Sequence, residues 1–351
     1  DRESSELENK HLAQRPAFNM SSLVSNQWTS KYNEYVKEQV VGRDAWIDLH
    51  SRMETALLRK TQVGGMLIGK DAQLFTQMFN LTEAEQAQLP KNVQAVSEFA
   101  QRHPGKVTFL LAPSASLIQA DRLPAFAPML DENAYTDDIL AQVGQSAQVL
   151  DVRELFTQNK DEKLYYYTDH HWTTLGAYYA YAQLMQQLGQ EPVALSELDG
   201  KTVENFYGTY FSKAKKFDAQ ADTITYYEIP DAGVTIDGKE QDGYYDLSKF
   251  EVRDKYAAFL RGNNGYTVIK SGVRTVEEGQ EPSRILIIKD SYANSFAPFL
   301  LCNYDEVHIV DLRYLAGSLS QLINESGFDE ILLMYNFSNL VTDTNLYKLG
   351  Y

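Results

Sequence analysis

Apolar runs along the chain have the pattern of β-strands that are buried on both faces. The clearest of them span residues 106–113, 284–288, 307–310 and 330–334. They are continuous rather than alternating, which is typical of strands inside a parallel sheet. Helical or loop segments separate the last three runs, as the crossover connections of a parallel sheet require. The pattern therefore predicts an α/β fold in which helices flank a parallel sheet.

The character of the sequence changes along the chain. Residues 1–62 are polar and rich in helix formers, with spaced apolar and aromatic positions, and they are predicted to form an N-terminal helical extension that packs on the core. Residues 63–351 are predicted to form the main domain. Within it, the segment of about 201–282 consists of short alternating runs rich in Gly, Asp and Tyr, with a turn signal at Asp237-Gly238. This segment is predicted to be a β-rich insertion.

The composition is that of an ordinary folded protein, and the charge narrows the choice of ligand. The 351 residues include 44% hydrophobic and 23% charged residues, and the formal net charge is −16. Because phosphate binding needs a clustered basic surface, this charge argues against nucleic acid as a partner. No run approaches the roughly 18 apolar residues that cross a bilayer, and the single cysteine, Cys302, excludes an internal disulfide. The start at Asp1, without methionine, suggests that a signal peptide or an anchor helix precedes this sequence.

An acid and an imidazole, two of the three groups of a nucleophilic acyl-transfer site, lie close together in the sequence. Asp169 and His171 belong to the segment Asp169-His-His-Trp172, which leads into a helix capped by Thr173. On an extended segment their spacing turns both side chains to one side, so that the carboxylate orients the imidazole while the other ring nitrogen faces a serine. His170 then points elsewhere.

The third group is the hydroxyl of Ser291, which follows the apolar strand 284–288 at a strand-to-helix turn. Backbone N–H groups at such a turn can face a developing oxyanion, and this geometry suits a nucleophile. The simpler alternative is a serine that only caps the helix and takes part in no chemistry. Both interpretations stay open on this element alone.

Polar residues near the ends of other strands are candidates for oxyanion stabilisation and substrate binding, because open α/β sheets bind ligands at the carboxyl ends of their strands. Asn336 closes the last strand and Arg313 follows the strand before it. Both have a structural alternative, in which Asn336 caps a turn and Arg313 pairs with Asp311. Tyr292 and Ser114 complete the set of candidates.

The paired histidines, His170 and His171, have two alternative explanations besides catalysis: they could bind a metal, or they could simply be exposed to solvent. A metal is disfavoured because the six histidines include no third partner at ligand spacing, and the single cysteine does not help. We therefore predict neither a metal nor a bound cofactor.

These motifs resemble the DHHW family of bacterial proteins and, through it, the SGNH-hydrolase-like alginate O-acetyltransferase proteins that act outside the cytoplasm. The two most specific elements are Asp169-His-His-Trp172 and Lys289-Asp-Ser291. Weaker elements extend the resemblance over most of the chain: Gly42-Arg43, Gly69-Lys-Asp71, Ala112-Pro113-Ser114, Phe206-Tyr-Gly208-Thr209, Asp311-Leu-Arg313-Tyr314 and Tyr335-Asn336. In the superfamily the serine normally comes first, whereas here the Asp/His element precedes it, as in the permuted alginate acetylation proteins.

The resemblance implies an SGNH-hydrolase-like (flavodoxin-like) fold and assigns roles within it. It implies Ser291 as the nucleophile, His171 as general base and then general acid, and Asp169 as the residue that orients the imidazole. Asn336 falls where the superfamily keeps an oxyanion asparagine. For the oxyanion glycine of the superfamily, Gly317 is a weak candidate.

The resemblance also implies an activity. We expect an extracytoplasmic O-acetyltransferase or acetylesterase that acts on a cell-surface or secreted polysaccharide through an acetyl-serine, with an acetyl donor and no other cofactor. It implies a membrane-bound O-acyltransferase as the acetyl source, and a protein that is secreted or anchored by a segment ahead of residue 1. The alternative, from another functional class, is a non-catalytic carbohydrate-binding or scaffold component of a polysaccharide modification or export complex.

Overall fold

The computed structural model describes residues 1–351, which form fifteen strands and eleven α-helices. The strands are β1 (Ser4–Ser5), β2 (Lys10–His11), β3 (Gln62–Val63), β4 (Met66–Ile68), β5 (Leu74–Thr76), β6 (Val107–Ala112), β7 (Gln148–Leu150), β8 (Gly200–Phe206), β9 (Asp222–Tyr227), β10 (Asp231–Ile236), β11 (Lys239–Gln241), β12 (Tyr266–Ser271), β13 (Arg284–Lys289), β14 (Glu306–Val310) and β15 (Glu330–Asn336).

The longest α-helix is α4, with 20 residues, and several 3₁₀ segments lie between the regular elements. Two of these segments, Lys255–Arg261 and Ser291–Asn294, contribute to the site. None of the helices is both long enough and apolar enough to span a membrane. The α-helices are α1 (Met20–Val24), α2 (Gln27–Glu38), α3 (Arg43–Arg52), α4 (Glu83–Arg102), α5 (Ala115–Ile118), α6 (Glu132–Val143), α7 (Arg153–Gln158), α8 (Thr174–Gln187), α9 (Thr209–Ala214), α10 (Leu319–Ser326) and α11 (Phe337–Thr342).

A mixed eight-stranded sheet forms the centre of the molecule, in the order β11-β10-β12-β14-β13-β15-β6-β7. The five strands from β14 to β7 are parallel, as the apolar runs predict. The other three strands are antiparallel to their neighbours. The predicted parallel sheet is therefore confirmed for its five-stranded part, and an antiparallel edge extends it.

Burial on both faces explains why the central strands are continuously apolar. In β13, Ile285 and Ile287 belong to the core that packs against α7 and α8. Leu286 and Ile288, which alternate with them, belong to the second core, against α4, α6 and α11. Because successive side chains of a strand point to opposite faces, a strand between two helical layers needs an apolar residue at every position.

The predicted β-rich insertion, at about 201–282, contributes to two separate places. Strands β8 and β9 pair with each other in a small sheet of their own. Strands β10 to β12 join the main sheet, because β12 pairs antiparallel with β14. The segment therefore lies against the main domain along much of its length and supplies side chains near the ends of the parallel strands.

The N-terminal extension is helical but lies mainly outside the core. Helices α1 and α2 contain no buried residue, and α3 contains only Ser51. Polar contacts connect the extension to the main domain: Phe217 donates a backbone hydrogen bond to Ser51 Oγ at 3.1 Å, and Lys215 pairs with Glu8 at 2.8 Å. This differs from the predicted packing on the core, since apolar side chains such as Trp46, which is 64% exposed, remain in contact with solvent.

Candidate active site

Three side chains that the sequence singled out form a hydrogen-bonded chain at the carboxyl edge of the parallel strands. His171 Nε2 lies 2.8 Å from Ser291 Oγ, and His171 Nδ1 lies 2.6 Å from Asp169 Oδ1. Asp169 and His171 are buried, whereas Ser291, just after β13, is only half-buried. The arrangement is that of a nucleophile, a base and the acid that orients the base.

The hydrogen-bond partners determine where the imidazole carries its proton. An ionised carboxylate only accepts hydrogen bonds, so Nδ1 of His171 donates to Asp169, and Nε2 accepts from the Ser291 hydroxyl. Burial by itself would raise the pKa of Asp169. The adjacent His170 and His171 and the hydrogen bonds that the carboxylate accepts outweigh burial, and they hold the pKa of Asp169 well below its usual range. Asp169 is therefore ionised at neutral pH.

One residue of the insertion binds the second oxygen of Asp169, and the residue before it leaves room for the carboxylate. The backbone N–H of Thr209, at the start of α9, donates to Asp169 Oδ2 at 2.7 Å. Gly208 makes this approach possible, because a Cβ there would lie 2.2 Å from Asp169 Cβ and Oδ2. We assigned no role to Gly208 from the sequence, although the element that contains it is part of the family resemblance.

Replacing Gly208 with alanine is expected to lower catalytic activity by about 10²-fold, the typical effect of misplacing a catalytic group by about 1 Å. The added methyl group would overlap the Asp169 carboxylate and displace it from His171. Turnover of a model acetyl ester, measured beside thermal unfolding, checks this. Gly350→Ala is the control, since a Cβ there meets nothing within 4 Å. A folded Gly208→Ala variant with the activity of the unmodified protein would contradict the expectation.

The prediction that His170 points away from the site is wrong. Its ring lies 3.8 Å from the His171 ring between centroids, and its Nδ1 lies 2.7 Å from Thr209 Oγ1. The segment turns here, because the backbone N–H of His171 donates to Asp169 Oδ1 at 3.0 Å, and the turn brings consecutive side chains together. Burial and the neighbouring His171 lower the pKa of His170 to about 4, so this imidazole is neutral at neutral pH.

Asp169, His170 and His171 also present ligand-type atoms within 4.8 Å of one another. The expectation of no metal rests on the spacing of the histidines and on the single cysteine, and it leaves out the carboxylate of Asp169. In the structure, however, His171 uses Nδ1 on Asp169 and Nε2 on Ser291, and His170 uses Nδ1 on Thr209. A metal ion at this position would have to displace hydrogen bonds that connect the base to the nucleophile.

Trp172 and Tyr292 connect the histidine loop to the turn that carries the nucleophile. Trp172 Nε1 donates to the backbone oxygen of Tyr292 at 3.0 Å, and the Tyr292 hydroxyl donates to the backbone oxygen of His170. Both side chains are buried. Tyr292, which we predicted as a substrate-binding residue, therefore lies inside the wall of the site and fixes the two segments relative to each other.

Asp290 fastens the nucleophile turn to the neighbouring strand. Its carboxylate accepts hydrogen bonds from the backbone N–H groups of Tyr292, at 2.8 Å, and Asn336, at 2.7 Å, and from Asn339 Nδ2, at 2.7 Å. These bonds hold the ends of β13 and β15 together. The backbone N–H of Ser291, the first of the 3₁₀ segment, has no acceptor within the protein and is free to face an oxyanion.

Asn336 and Arg313 lie at the same edge of the sheet and are engaged with other protein groups. Asn336 caps α11, where its Oδ1 accepts from the backbone N–H of Ser338 at 3.0 Å, and its Nδ2 donates to the backbone oxygen of Ala112 at 3.0 Å. Arg313 makes a bidentate pair with Asp311, at 2.9 and 2.6 Å. Asn336 therefore caps a helix and Arg313 pairs with Asp311, as the non-catalytic interpretation of each residue predicts. A role of either residue in oxyanion stabilisation stays a prediction.

Ser114 is engaged with a buried carboxylate. Its backbone N–H donates to Glu132 Oε1 at 2.9 Å, and its hydroxyl donates to Glu132 Oε2 at 2.5 Å. Burial raises the pKa of Glu132. The Ser114 hydroxyl therefore belongs to a local network after β6, and its predicted contact with substrate is untested.

One family model matches the part of the chain that carries this site. The family model described as DHHW protein matches residues 132–310, which is more than half of the 351 residues and includes the histidine loop and Ser291. No curated protein sequence matches the chain.

Solved structures that are similar to this one include the following three. A DHHW family protein from Eubacterium siraeum DSM 15702 is 20% identical with a TM-score of 0.63, covering 82% of this chain and 96% of that chain. Bacillus cereus PatB1, solved with a sulfonyl adduct, is 21% identical with a TM-score of 0.64, covering 81% and 98%. The O-acetyltransferase domain of Pseudomonas putida AlgJ is 14% identical with a TM-score of 0.49, covering 80% and 93%. The first two confirm the predicted SGNH-hydrolase-like α/β fold.

Proposed function

Because this chain belongs to the DHHW family, we propose that it is an O-acetyltransferase or acetylesterase that acts outside the cytoplasm on a cell-surface or secreted polysaccharide. The observation that carries the proposal is the 2.8 Å contact between His171 Nε2 and Ser291 Oγ, with ionised Asp169 on the other ring nitrogen. Further support comes from PatB1, a protein of the same fold that was solved with a sulfonyl adduct. Sulfonyl reagents bond to nucleophilic side chains, as an acetyl donor would.

The first half-reaction forms the acetyl-serine. Ser291 Oγ attacks the carbonyl carbon of the donor, and His171 Nε2 takes the hydroxyl proton. The imidazolium is stabilised by the adjacent Asp169 carboxylate. The free backbone N–H of Ser291 donates to the oxyanion. When the tetrahedral intermediate collapses, His171 returns the proton to the leaving group.

The second half-reaction transfers the acetyl group. His171 Nε2, again unprotonated, takes the proton of an acceptor hydroxyl, and the acceptor oxygen attacks the acetyl-serine. Collapse of the second intermediate breaks the ester bond to Ser291, whose oxygen regains its proton from His171. A sugar hydroxyl as acceptor gives a transferase and water gives an esterase, so both activities share the acetyl-serine.

The proposal extends to the setting of the reaction. By the family resemblance, a membrane-bound O-acyltransferase supplies the acetyl group, and the polysaccharide is the acceptor. The proposed chemistry uses an acetyl donor, an acceptor hydroxyl, the three side chains and the backbone N–H of Ser291, and it involves neither nucleic acid nor a bound cofactor.

A turnover assay tests the proposal. The protein is incubated with p-nitrophenyl acetate and mixed oligosaccharides, and both nitrophenol release and acetylated sugar are measured. His171→Ala is expected to lower both by about 10²- to 10⁴-fold, the usual contribution of a positioned general base. His103→Ala, outside the site at the end of α4, is expected to leave both unchanged.

The products of this assay also separate the two functional classes. Acetylated sugar identifies the transferase, and nitrophenol release without acetylated sugar identifies the esterase. Equal background rates in the unmodified protein and in His171→Ala, with no acetylated product, would contradict the proposal and favour the non-catalytic carbohydrate-binding role.

A further inference from the structure

We propose that Tyr256, in the insertion, is a positioning residue of the triad that holds the catalytic imidazole with its ring and the nucleophile's backbone with its hydroxyl. The inference rests on the proposed function and adds to it a residue that none of the sequence motifs contains. Tyr256 lies in the 3₁₀ segment Lys255–Arg261 and is buried.

The ring of Tyr256 stacks on the ring of His171. The centroids are 3.8 Å apart and the planes differ by only 11°. The ring of His170 also lies 3.8 Å from His171. Because the Tyr256 ring covers one face of the imidazole and the His170 ring lies equally close, rotation of the imidazole about its side-chain bonds would break both contacts. The stack therefore keeps Nε2 directed at Ser291.

The hydroxyl of Tyr256 reaches the nucleophile. It donates to the backbone oxygen of Ser291 at 3.0 Å and lies 3.3 Å from Ser295 Oγ. Burial raises the pKa of Tyr256, so the hydroxyl keeps its proton and remains a donor at neutral pH. One side chain thus contacts both the base and the nucleophile, and it fixes the distance between them.

The stacked Tyr256 ring also stabilises a positive charge on His171. In both half-reactions His171 becomes an imidazolium, and the face of an aromatic ring attracts a cation. This attraction grows as the proton arrives, so it stabilises the transition state more than the resting site. Titratable and charged groups that contact His171 or interact with its neighbours Asp169 and His170 include Tyr292 and Asp290 at the nucleophile turn, Tyr210 and Lys213 in α9, and Arg253 and Asp254 in the insertion. None of them is changed in the test below.

The position of Tyr256 gives the insertion a definite role. Thr209 donates to the far oxygen of Asp169, Gly208 leaves room for that carboxylate, and Tyr256 contacts His171 and Ser291. The rest of the main domain supplies the three reacting side chains, and the insertion adds further aligning contacts to those that Trp172, Tyr292 and Asp290 make.

Two variants separate the ring from the hydroxyl. Tyr256→Met removes the stack but fills much of the space, and it is expected to lower kcat by about 5- to 30-fold with KM nearly unchanged. Tyr256→Phe keeps the stack and removes the hydrogen bond to Ser291, and it is expected to lower kcat by about 2- to 10-fold. Phe250→Met is the matched control, because Phe250 is equally buried in the same aromatic cluster and its ring packs against Tyr226 and Phe259 instead of His171.

The pH–rate profile distinguishes positioning from simple packing. Loss of the stack removes stabilisation of the imidazolium, so the base stays unprotonated to lower pH. The acidic limb of the profile of Tyr256→Met, measured between about pH 5 and 8, is expected to move to lower pH. Tyr256→Phe and Phe250→Met are expected to keep the limb where it is.

Several outcomes would overturn the inference. One is a folded Tyr256→Met variant with unchanged kcat and pH profile, and another is the same shift in Phe250→Met. Because Phe is nearly isosteric with Tyr, an unchanged kcat in Tyr256→Phe would overturn the role of the hydroxyl even if Tyr256→Met did not fold. If His171→Ala keeps full activity, the proposed function itself fails, whatever the Tyr256 variants show.

Discussion

Replacing Ser291 with alanine is expected to lower acetyl transfer by at least about 10³-fold, since removing the nucleophile of a triad leaves only the catalysis that binding and oxyanion stabilisation provide. The alanine cannot form the acetyl-serine that both half-reactions share. The fold should survive, because Ser291 is only half-buried and its side chain contacts His171. Turnover of p-nitrophenyl acetate, with thermal unfolding measured in parallel, gives the result.

A second serine at the same edge of the sheet serves as the control. Ser116 Oγ lies 2.8 Å from Ser114 Oγ, in the network of Glu132, and no histidine contacts it. Ser116→Ala is expected to keep the full rate. A large loss in Ser116→Ala together with normal turnover in Ser291→Ala would move the nucleophile to the end of β6 and contradict the account.

Replacing Asp169 with asparagine is expected to lower kcat by about 10⁴-fold, the effect of holding a triad histidine in the wrong tautomer. The carboxylate oxygens of Asp169 accept backbone hydrogen bonds from Thr209 at 2.7 Å and from His171 at 3.0 Å. An asparagine that keeps its oxygen on the shorter bond, to Thr209, turns its NH₂ toward His171 Nδ1. The imidazole then carries its proton on Nε2 and cannot accept the proton of Ser291. Steady-state kinetics on the purified variant measure the loss.

The structure of the Asp169→Asn variant should change little, because the amide keeps the size of the carboxylate. Thermal unfolding close to that of the unmodified protein is therefore part of the expected result. A well-folded variant that loses less than about tenfold would show that the orientation of His171 does not depend on the charge at position 169.

The central strands and the reacting groups were predictable from the sequence for physical reasons. A strand between two helical layers must be apolar at every position, so β6, β13, β14 and β15 stand out as continuous runs. Turns after such strands present side chains at the edge where ligands bind. The short Asp169-to-Trp172 segment and the turn at Ser291 then suggested a triad, and the structure brings those groups within hydrogen-bond distance.

The residues that align the reacting groups were not predictable, because their contacts cross long stretches of chain. Tyr256 meets His171 only because the insertion returns to the sheet edge, and its sequence neighbourhood has no motif that indicates this. Gly208 is required by the approach of Asp169, which a sequence does not show. The position of His170 was predicted wrongly because the argument assumed an extended segment, whereas Asp169 Oδ1 accepts a backbone hydrogen bond from His171 and turns the chain.

The strand pairing of the insertion and the packing of the N-terminal extension were also not predictable, because both depend on tertiary structure. The short alternating strands of the insertion indicated β-structure, but not that β12 would pair with β14 and continue the main sheet. The spaced aromatic residues of the N-terminal extension suggested burial, whereas its helices α1 and α2 contain no buried residue and its contacts with the main domain include polar ones. Amphipathic spacing predicts a helix, but it does not identify the surface that the helix covers.

The central claim is that Ser291 is a nucleophile activated by His171, and covalent labelling tests it most directly. The protein is treated with a sulfonyl fluoride or with p-nitrophenyl acetate, quenched in acid, digested and mapped by mass spectrometry. The account predicts one label, on Ser291, that forms much more slowly in His171→Ala and is absent in Ser291→Ala. No label, or a label on another serine such as Ser114 with Ser291 unmodified, would contradict it.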